Sequence, residues 1–85
     1  MIIDLAGSEK SSPYLQEGHQ SLLKEGGNIN RSLLALGNCI TNLSNGEQHI
    51  PYRDSKLTRI LKDNLSGYCH NIMIACVSQN LSQYE

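Results

Sequence analysis

The chain has 85 residues, of which 39% are hydrophobic, with neither Trp nor Phe and a net charge of −1 at pH 7. Such a chain forms at most one small domain, because short chains bury only about 60% of their unfolded surface. No apolar stretch approaches the roughly 20 residues that cross a bilayer and no signal-like segment precedes Asp4, so we expect a cytoplasmic or nuclear location and no membrane partner.

Positive charge is concentrated in one stretch of an otherwise acidic chain. Residues 51–62, PYRDSKLTRILK, carry a net charge of +3, and the remainder carries −4. The four basic residues of this stretch, called the cationic cluster below, are Arg53, Lys56, Arg59 and Lys62. Local fields guide association more than the total charge does, so the cluster indicates an acidic partner surface. A solvated helix face is the simpler alternative.

The first predicted element is the end of a strand. Two isoleucines are followed by Asp4 and then Gly7, a pattern typical of a buried strand and the turn that leaves it, within residues 1–9. Residues 10–27 mix Ser, Pro, Gly and polar residues without a steady period, so we predict an irregular loop there.

A helix is predicted over residues 28–45. Its apolar residues recur at steps of 4, 3, 4 and 3 and therefore share one face; they are Ile29, Leu33, Leu36, Ile40 and Leu43. Asn45 and Gly46 tolerate positive φ and should end the helix. The apolar face could pack against a partner helix, but two to three heptads are short for a coiled coil, so we expect burial against a sheet.

A polar loop and a second helix are predicted within residues 46–66. Ser55 is a suitable N-cap because its hydroxyl can accept from an amide of the first turn, and Gly67 should end the helix. The residues that share its apolar face are Leu57, Ile60, Leu61 and Leu65. Residues 71–78, NIMIACVS, form a nearly unbroken apolar run typical of a strand covered on both faces, and residues 79–85 suggest the start of another helix.

The order of the predicted elements is strand end, long loop, helix, loop, helix, strand. Both strands have the composition of central strands, and central strands need neighbours that this chain does not encode. We therefore expect an α/β fold that is incomplete as given, a part of a larger domain.

Asp4 and Gly7 are the residues whose spacing suggests chemistry. An Asp at the carboxyl end of a buried strand can hold the water shell of Mg²⁺, and a Gly three residues later can bring its backbone N–H close to a terminal phosphate. Alone, D-x-x-G is a weak signal, and an ordinary strand end followed by a turn is the favoured explanation of it.

Four motifs that follow one another along the chain give Asp4 and Gly7 a more specific interpretation. They are DLAGSEK from Asp4, NINRSLLALGNCI from Asn28, HIPYRDSKLTRIL from His49 and IMIACVS from Ile72. Together they resemble the carboxyl-terminal part of a kinesin motor domain, over nearly all 85 residues. The resemblance implies part of an α/β motor fold of the P-loop NTPase type.

The resemblance also implies a role for the amino-terminal segment. Residues 1–9 would be switch II, with Asp4 reaching Mg²⁺ through water, Gly7 sensing the γ-phosphate and Glu9 pairing with an Arg of switch I. These three residues would be the catalytic ones, and the complete motor domain would bind ATP and Mg²⁺.

The remaining segments would connect the nucleotide-binding site to the microtubule-binding surface. Residues 28–45 would be the relay helix, residues 46–66 the microtubule-binding loop and helix, and residues 71–78 a core strand. The residues that would contact tubulin are Lys24, Arg31, Tyr52, Arg53, Lys56 and Arg59.

Two motifs of the complete family are absent from the sequence. None of the seven glycines precedes a lysine, so there is no G-x-x-x-x-G-K-[ST] phosphate cradle, and there is no switch I motif of the N-x-x-S-S-R type. Because phosphoryl transfer needs several elements acting together, we predict that this chain alone does not hydrolyse ATP.

The function expected is therefore that of a fragment of a kinesin-like, ATP-dependent microtubule motor, placed on the cytoskeleton, with the spindle as one candidate location. A mitotic, chromosome-associated subfamily is suggested by residues 48–65, and a dimer is one possible state of the complete protein. The alternative is a truncated, catalytically inactive tubulin-binding piece. Nucleic-acid binding is disfavoured because positive charge is confined to one segment.

Overall fold

A computed structural model describes residues 1–8 and 20–80, with side chains described in residues 1–8 and 25–80. Its regular elements are helix α1 (Gln20–Ser44), a 3₁₀ helix (Tyr52–Asp54) and helix α2 (Lys56–Leu65). Both the 3₁₀ helix and α2 pack against α1. Within the described ranges, no helix combines the length and apolar character needed to cross a membrane.

Helix α1 begins eight residues before the predicted start at residue 28. The prediction of a loop through residue 27 is therefore wrong for residues 20–27. Gly26 and Gly27 each lower helix propensity by about 1 kcal/mol relative to Ala and interrupt the apolar period, which hid the first two turns. The Leu, Lys and Glu residues that precede them are good helix formers and sustain the helix.

The end of α1 follows the predicted signal. Gly46 has φ +69°, its N–H donates to the Leu43 carbonyl oxygen at 3.1 Å, and the Glu47 N–H donates to the Asn42 carbonyl oxygen at 3.0 Å. These two bonds are the pair of the Schellman motif, which needs a residue with positive φ directly after the helix. The prediction that Asn45 and Gly46 end the helix is confirmed.

Helix α2 starts at a capping box. The Thr58 N–H donates to Ser55 Oγ at 3.1 Å, and the Ser55 N–H donates back to Thr58 Oγ1 at 3.2 Å. Both groups would otherwise lack partners at the start of a helix, so the predicted N-cap at Ser55 is confirmed. At the other end the helix stops at Leu65, and Gly67 has φ +95°.

The buried centre lies where α1 meets α2. Its members in the described part of the chain are Ala35, Leu36 and Cys39 of α1 and Thr58 and Leu61 of α2. The predicted apolar face of α1 contributes only Leu36 to it fully, while Ile29 is 38% exposed. The buried face is rotated toward Ala35 and Cys39 because α1 packs here against a helix rather than a sheet.

The predicted apolar face of α2 is also only partly used. Leu61 is buried and Leu57 and Leu65 are half-buried, but Ile60 is 69% exposed. The inclusion of Ile60 in the buried face is wrong for this structure, because α1 covers only one side of α2.

The predicted strands are not formed in the described residues. Residues 1–8 and 70–80 have no regular secondary structure, and their side chains are exposed, with Ile2 at 99% and Ile72 at 93%. A strand is stable only when it pairs with another strand, and the described residues offer neither segment such a partner. The strand expected at residues 71–78 is therefore not formed in this structure, and the regular elements of the described residues are all helices.

Two glycines, one within α1 and one just after its end, allow a matched test of this fold. Gly37 lies in the helix with open space around the position of a Cβ atom, whereas Gly46 holds the positive φ that ends it. We expect Gly37→Ala to raise the free energy of unfolding by about 0.5–1 kcal/mol and Gly46→Ala to lower it by about 1 kcal/mol. Thermal denaturation followed by circular dichroism measures both; equal shifts in the same direction would contradict the observed helix end.

Candidate functional site

The cationic cluster forms a ribbon along one side of the molecule. Arg53 lies on the 3₁₀ helix, and Lys56, Arg59 and Lys62 follow on α2 at steps of three residues. Residues three apart are neighbours on a helix surface, about 4.5 Å apart along its axis. All four side chains are exposed, so the ribbon presents its charge to solvent.

The contacts of the cluster leave its charge in place. Arg59 Nη2 donates to the Arg53 carbonyl oxygen at 3.2 Å, and Lys62 Nζ lies 5.9 Å from the centre of the Tyr52 ring. Neither partner is a carboxylate. A cation over an aromatic ring at the protein surface gains about 0.5–1 kcal/mol, which orders the side chain without neutralising its charge.

Thr58 is a buried residue that connects the two elements carrying the cationic cluster. Its side chain is 0% exposed, and its hydroxyl donates to the Tyr52 carbonyl oxygen at 2.7 Å, with the Ser55 carbonyl oxygen at 3.0 Å as a second acceptor. Thr58 Oγ1 also accepts from the Ser55 N–H. The sequence analysis missed Thr58; the signal that could have found it is Ser-x-x-Thr, a capping box with Thr in the place of the usual Glu or Gln.

Cys39 is the fully buried residue of α1 at this site. Its thiol is fully buried; burial raises its pKa above the usual 9.0, and the negative charge of Asp54 adds to the effect. Burial likewise raises the pKa of Tyr52 above 10.0, with a smaller contribution from Cys39. These effects reflect the close packing of α1 against the 3₁₀ helix. All three cysteines are free, and sequence reasoning had not placed Cys39 in the core.

The predicted microtubule contacts are gathered only in part. Tyr52, Arg53, Lys56 and Arg59 share the 3₁₀ helix and the start of α2. Arg31 is exposed on α1, where it borders a shallow recess of about 270 Å³ together with Asp54. Lys24 lies in α1, but its side chain is outside the described residues.

Asp4 lies in a different place, on a cleft of about 360 Å³. The cleft is bordered by residues 3–6, by the amino-terminal half of α1 from Glu25 to Leu33, and by Leu57 of α2. Gly7 is exposed and is not part of the cleft lining, and Glu9 lies outside the described residues.

The donor set for Mg²⁺ around Asp4 is small. Among the described residues, no group of three or more His, Cys, Asp or Glu side chains could hold a metal ion. Mg²⁺ usually keeps several waters and takes one or two carboxylates together with substrate phosphates. A single exposed carboxylate fits a water-mediated contribution to such an ion and does not form a metal site by itself.

The raised pKa values predict a loss of stability at alkaline pH. Because the folded state keeps Cys39 as a thiol above the pH at which the unfolded chain ionises, stability is unaffected below pH 9.0 and falls as pH rises through it. Tyr52 adds the same effect above pH 10.0. Thermal denaturation between pH 7 and about 10.5 should show the fall, and Cys39→Ala should flatten its first part. A stability that rises over this range would contradict the buried thiol.

Comparison with known proteins identifies the family of this site. The family model described as "Kinesin motor domain" matches residues 1–85. "Kinesin-like protein 6" of Schizosaccharomyces pombe is 55% identical over 85 residues, which is 98% of this chain and 11% of that protein. "Kinesin-like protein KIP3" of Saccharomyces cerevisiae is 56% identical over 88 residues, 99% of this chain and 11% of that protein.

A vertebrate relative has a similar sequence identity and a similar coverage of each chain. "Kinesin-like protein KIF18B" of Gallus gallus is 55% identical over 87 residues, which is 99% of this chain and 11% of that protein. The chain thus spans a small part of the length of the curated relatives it matches. The match of the whole chain to the family model, together with these identities, shows that the chain belongs to the kinesin motor domain family.

Proposed function

We propose that this chain supplies the track-binding surface, and part of the nucleotide-sensing switch, of a kinesin-like ATP-dependent microtubule motor. In the complete protein it would couple ATP binding and hydrolysis to microtubule binding and movement, in the cytoplasm and on the cytoskeleton. The single observation that supports this most is the exposed ribbon of Arg53, Lys56, Arg59 and Lys62, whose contacts leave its charge in place.

The ribbon suits an extended acidic surface such as that of a microtubule. One exposed ion pair contributes roughly 0–1 kcal/mol, so several cations must act together to bind and steer. Their spacing of three residues along α2 places each cation next to the following one on the helix surface rather than at scattered positions. Tyr52 and Arg31 would add contacts beside the ribbon, and Lys24 would extend it along α1.

The nucleotide-sensing part of the proposal concerns Asp4, Gly7 and Glu9. With ATP and Mg²⁺ bound in the complete motor domain, the Asp4 carboxylate would accept from water of the Mg²⁺ shell and the Gly7 N–H would donate to the γ-phosphate. Glu9 would pair with an Arg outside this chain. The Mg²⁺ ion supplies neutralisation of phosphate charge.

Helix α1 supports a link between the Asp4 segment and the cationic cluster. It is 25 residues long, or about 37 Å, and its amino-terminal half borders the Asp4 cleft while its later turns carry the 3₁₀ helix and α2. A shift of the Asp4 segment against α1 would therefore reach the cationic cluster through one rigid element. This is the relay role that we propose for α1.

The alternative is that the chain binds tubulin but is catalytically inactive. It is favoured by the absence of a phosphate cradle from the sequence, because Asp4 and Gly7 alone position no phosphoryl group. The two candidates differ in what the complete protein does. For the chain by itself, both imply binding without ATP turnover.

Cosedimentation with polymerised tubulin tests the cationic cluster. We expect weak binding that decreases as salt rises past about 0.1 M, where the Debye length falls to about 10 Å. Replacing Arg53 and Lys56 together by Ala should raise Kd about fivefold to thirtyfold, since each exposed pair contributes up to about 1 kcal/mol.

A matched control separates the cluster from net charge. Tyr68→Glu with Gln79→Glu makes the chain more acidic by the same two charges at exposed positions outside residues 46–66. Its binding should stay within about twofold of the unchanged chain, because the cluster itself is intact. Equal weakening in both double variants would leave the proposed surface without support.

Steady-state phosphate release tests the catalytic part. The purified chain with Mg-ATP should show no turnover above background, with or without microtubules, because the phosphate cradle is absent from its sequence. A complete kinesin motor domain assayed in parallel confirms that the tubulin and the assay are active. Microtubule-stimulated turnover by the chain alone would refute the claim that further elements are required.

A further inference from the structure

We propose that Thr58 is a positioning residue for track binding: its buried hydroxyl locks the 3₁₀ helix onto α2 and so sets the spacing of the cationic cluster. The inference rests on the proposed function, since it concerns how the cluster meets its partner. It assigns Thr58 no direct contact with that partner, because the side chain is 0% exposed.

The bond in question links two separate elements. Thr58 Oγ1 donates to the Tyr52 carbonyl oxygen at 2.7 Å, across six residues. In the described part of the chain, the other hydrogen bond that joins the 3₁₀ helix to α2 is that from Arg59 Nη2 to the Arg53 carbonyl oxygen, at 3.2 Å and exposed to solvent. The shorter, partly buried bond is the better protected of the two, because water competes less for its groups.

The 3₁₀ helix is held weakly by its own bonds. The Asp54 N–H reaches the Pro51 carbonyl oxygen at 3.3 Å, near the long end of the usual range for a hydrogen bond. A single 3₁₀ turn has poor bonding geometry and relies on its surroundings. Its orientation relative to α2 therefore depends on Thr58.

That orientation matters because the cluster is divided between the two elements. Arg53 and Tyr52 belong to the 3₁₀ helix, while Lys56, Arg59 and Lys62 belong to α2. The contact of Lys62 with the Tyr52 ring also crosses the junction. If the junction loosens, the charges are all retained but no longer keep one fixed spacing.

Three variants separate positioning from helix capping. Thr58→Val keeps the shape of the side chain and removes the hydroxyl, which leaves the Tyr52 carbonyl and the Ser55 N–H without this partner. Thr58→Ser keeps the hydroxyl. Ser55→Ala removes the acceptor of the Thr58 N–H, together with the contact of Ser55 Oγ with Thr58 Oγ1 at 2.9 Å, but keeps the Tyr52 carbonyl oxygen as an acceptor for the Thr58 hydroxyl.

The measurement is cosedimentation with polymerised tubulin over a salt series, with the folded fraction taken from circular dichroism. We expect Thr58→Val to raise Kd per folded chain about fivefold and to reduce its salt dependence, because fewer cations engage at once. Thr58→Ser should stay within about twofold of the unchanged chain, and Ser55→Ala should lie between the two. If Thr58→Val lowers the helical signal severely, Thr58→Cys, a weaker donor of similar size, takes its place.

A double-mutant cycle with Arg53→Ala completes the test. Because Thr58 acts by placing Arg53 beside the cations of α2, Thr58→Val should cost less than about twofold once Arg53 is absent. The same fivefold loss in both backgrounds would overturn the inference, as would unchanged Kd and salt dependence in Thr58→Val, or a loss in Ser55→Ala as large as that in Thr58→Val.

The outcomes also separate this inference from the proposed function. If the unchanged chain does not bind microtubules even at low salt, the proposed function fails and the inference fails with it. If the unchanged chain binds, and Thr58→Val binds equally with the same salt dependence, only the role of Thr58 is refuted.

Discussion

The hydrogen bond from the buried Thr58 hydroxyl to the Tyr52 carbonyl is the constraint on which the rest of the arrangement depends. It converts a short 3₁₀ turn and a ten-residue helix into one unit, which packs against α1 around Cys39. A buried polar group costs free energy unless it is paired, so the low-energy arrangement is the one in which both elements hold this geometry. The centre is thus specified by a polar contact as well as by its few apolar side chains.

Helix α1 gives that unit its connection to the rest of the molecule. The Asp4 segment lies against one half of α1, and the cationic cluster is carried on elements that pack against the other. Leu57 of α2 also borders the Asp4 cleft, so α2 touches the boundary of both regions. Two surfaces with different chemistry are therefore joined by one continuous helix and one packed neighbour.

Local signals predicted the local features. The Schellman end at Gly46 and the N-cap at Ser55 each depend on residues within a few positions along the chain, so the sequence alone predicts both. Gly26 and Gly27 hid the start of α1 because propensity is a weak prior that flanking residues can override. The cationic cluster was visible from charge alone, whereas Thr58 was not, because a polar residue in a core is invisible to apolar periodicity. The strand expected at residues 71–78 requires partners distant in sequence, which no local pattern supplies.

The exposed apolar run at the end of the described chain has a consequence for the behaviour of the isolated protein. Residues 72–77, IMIACV, are six uncharged residues without Pro, and Ile74 and Val77 are 86% and 90% exposed. Such a segment, when it is not covered, can stack with identical segments of other chains into intermolecular sheets. This run therefore favours self-association of the isolated chain, which increases as its concentration rises.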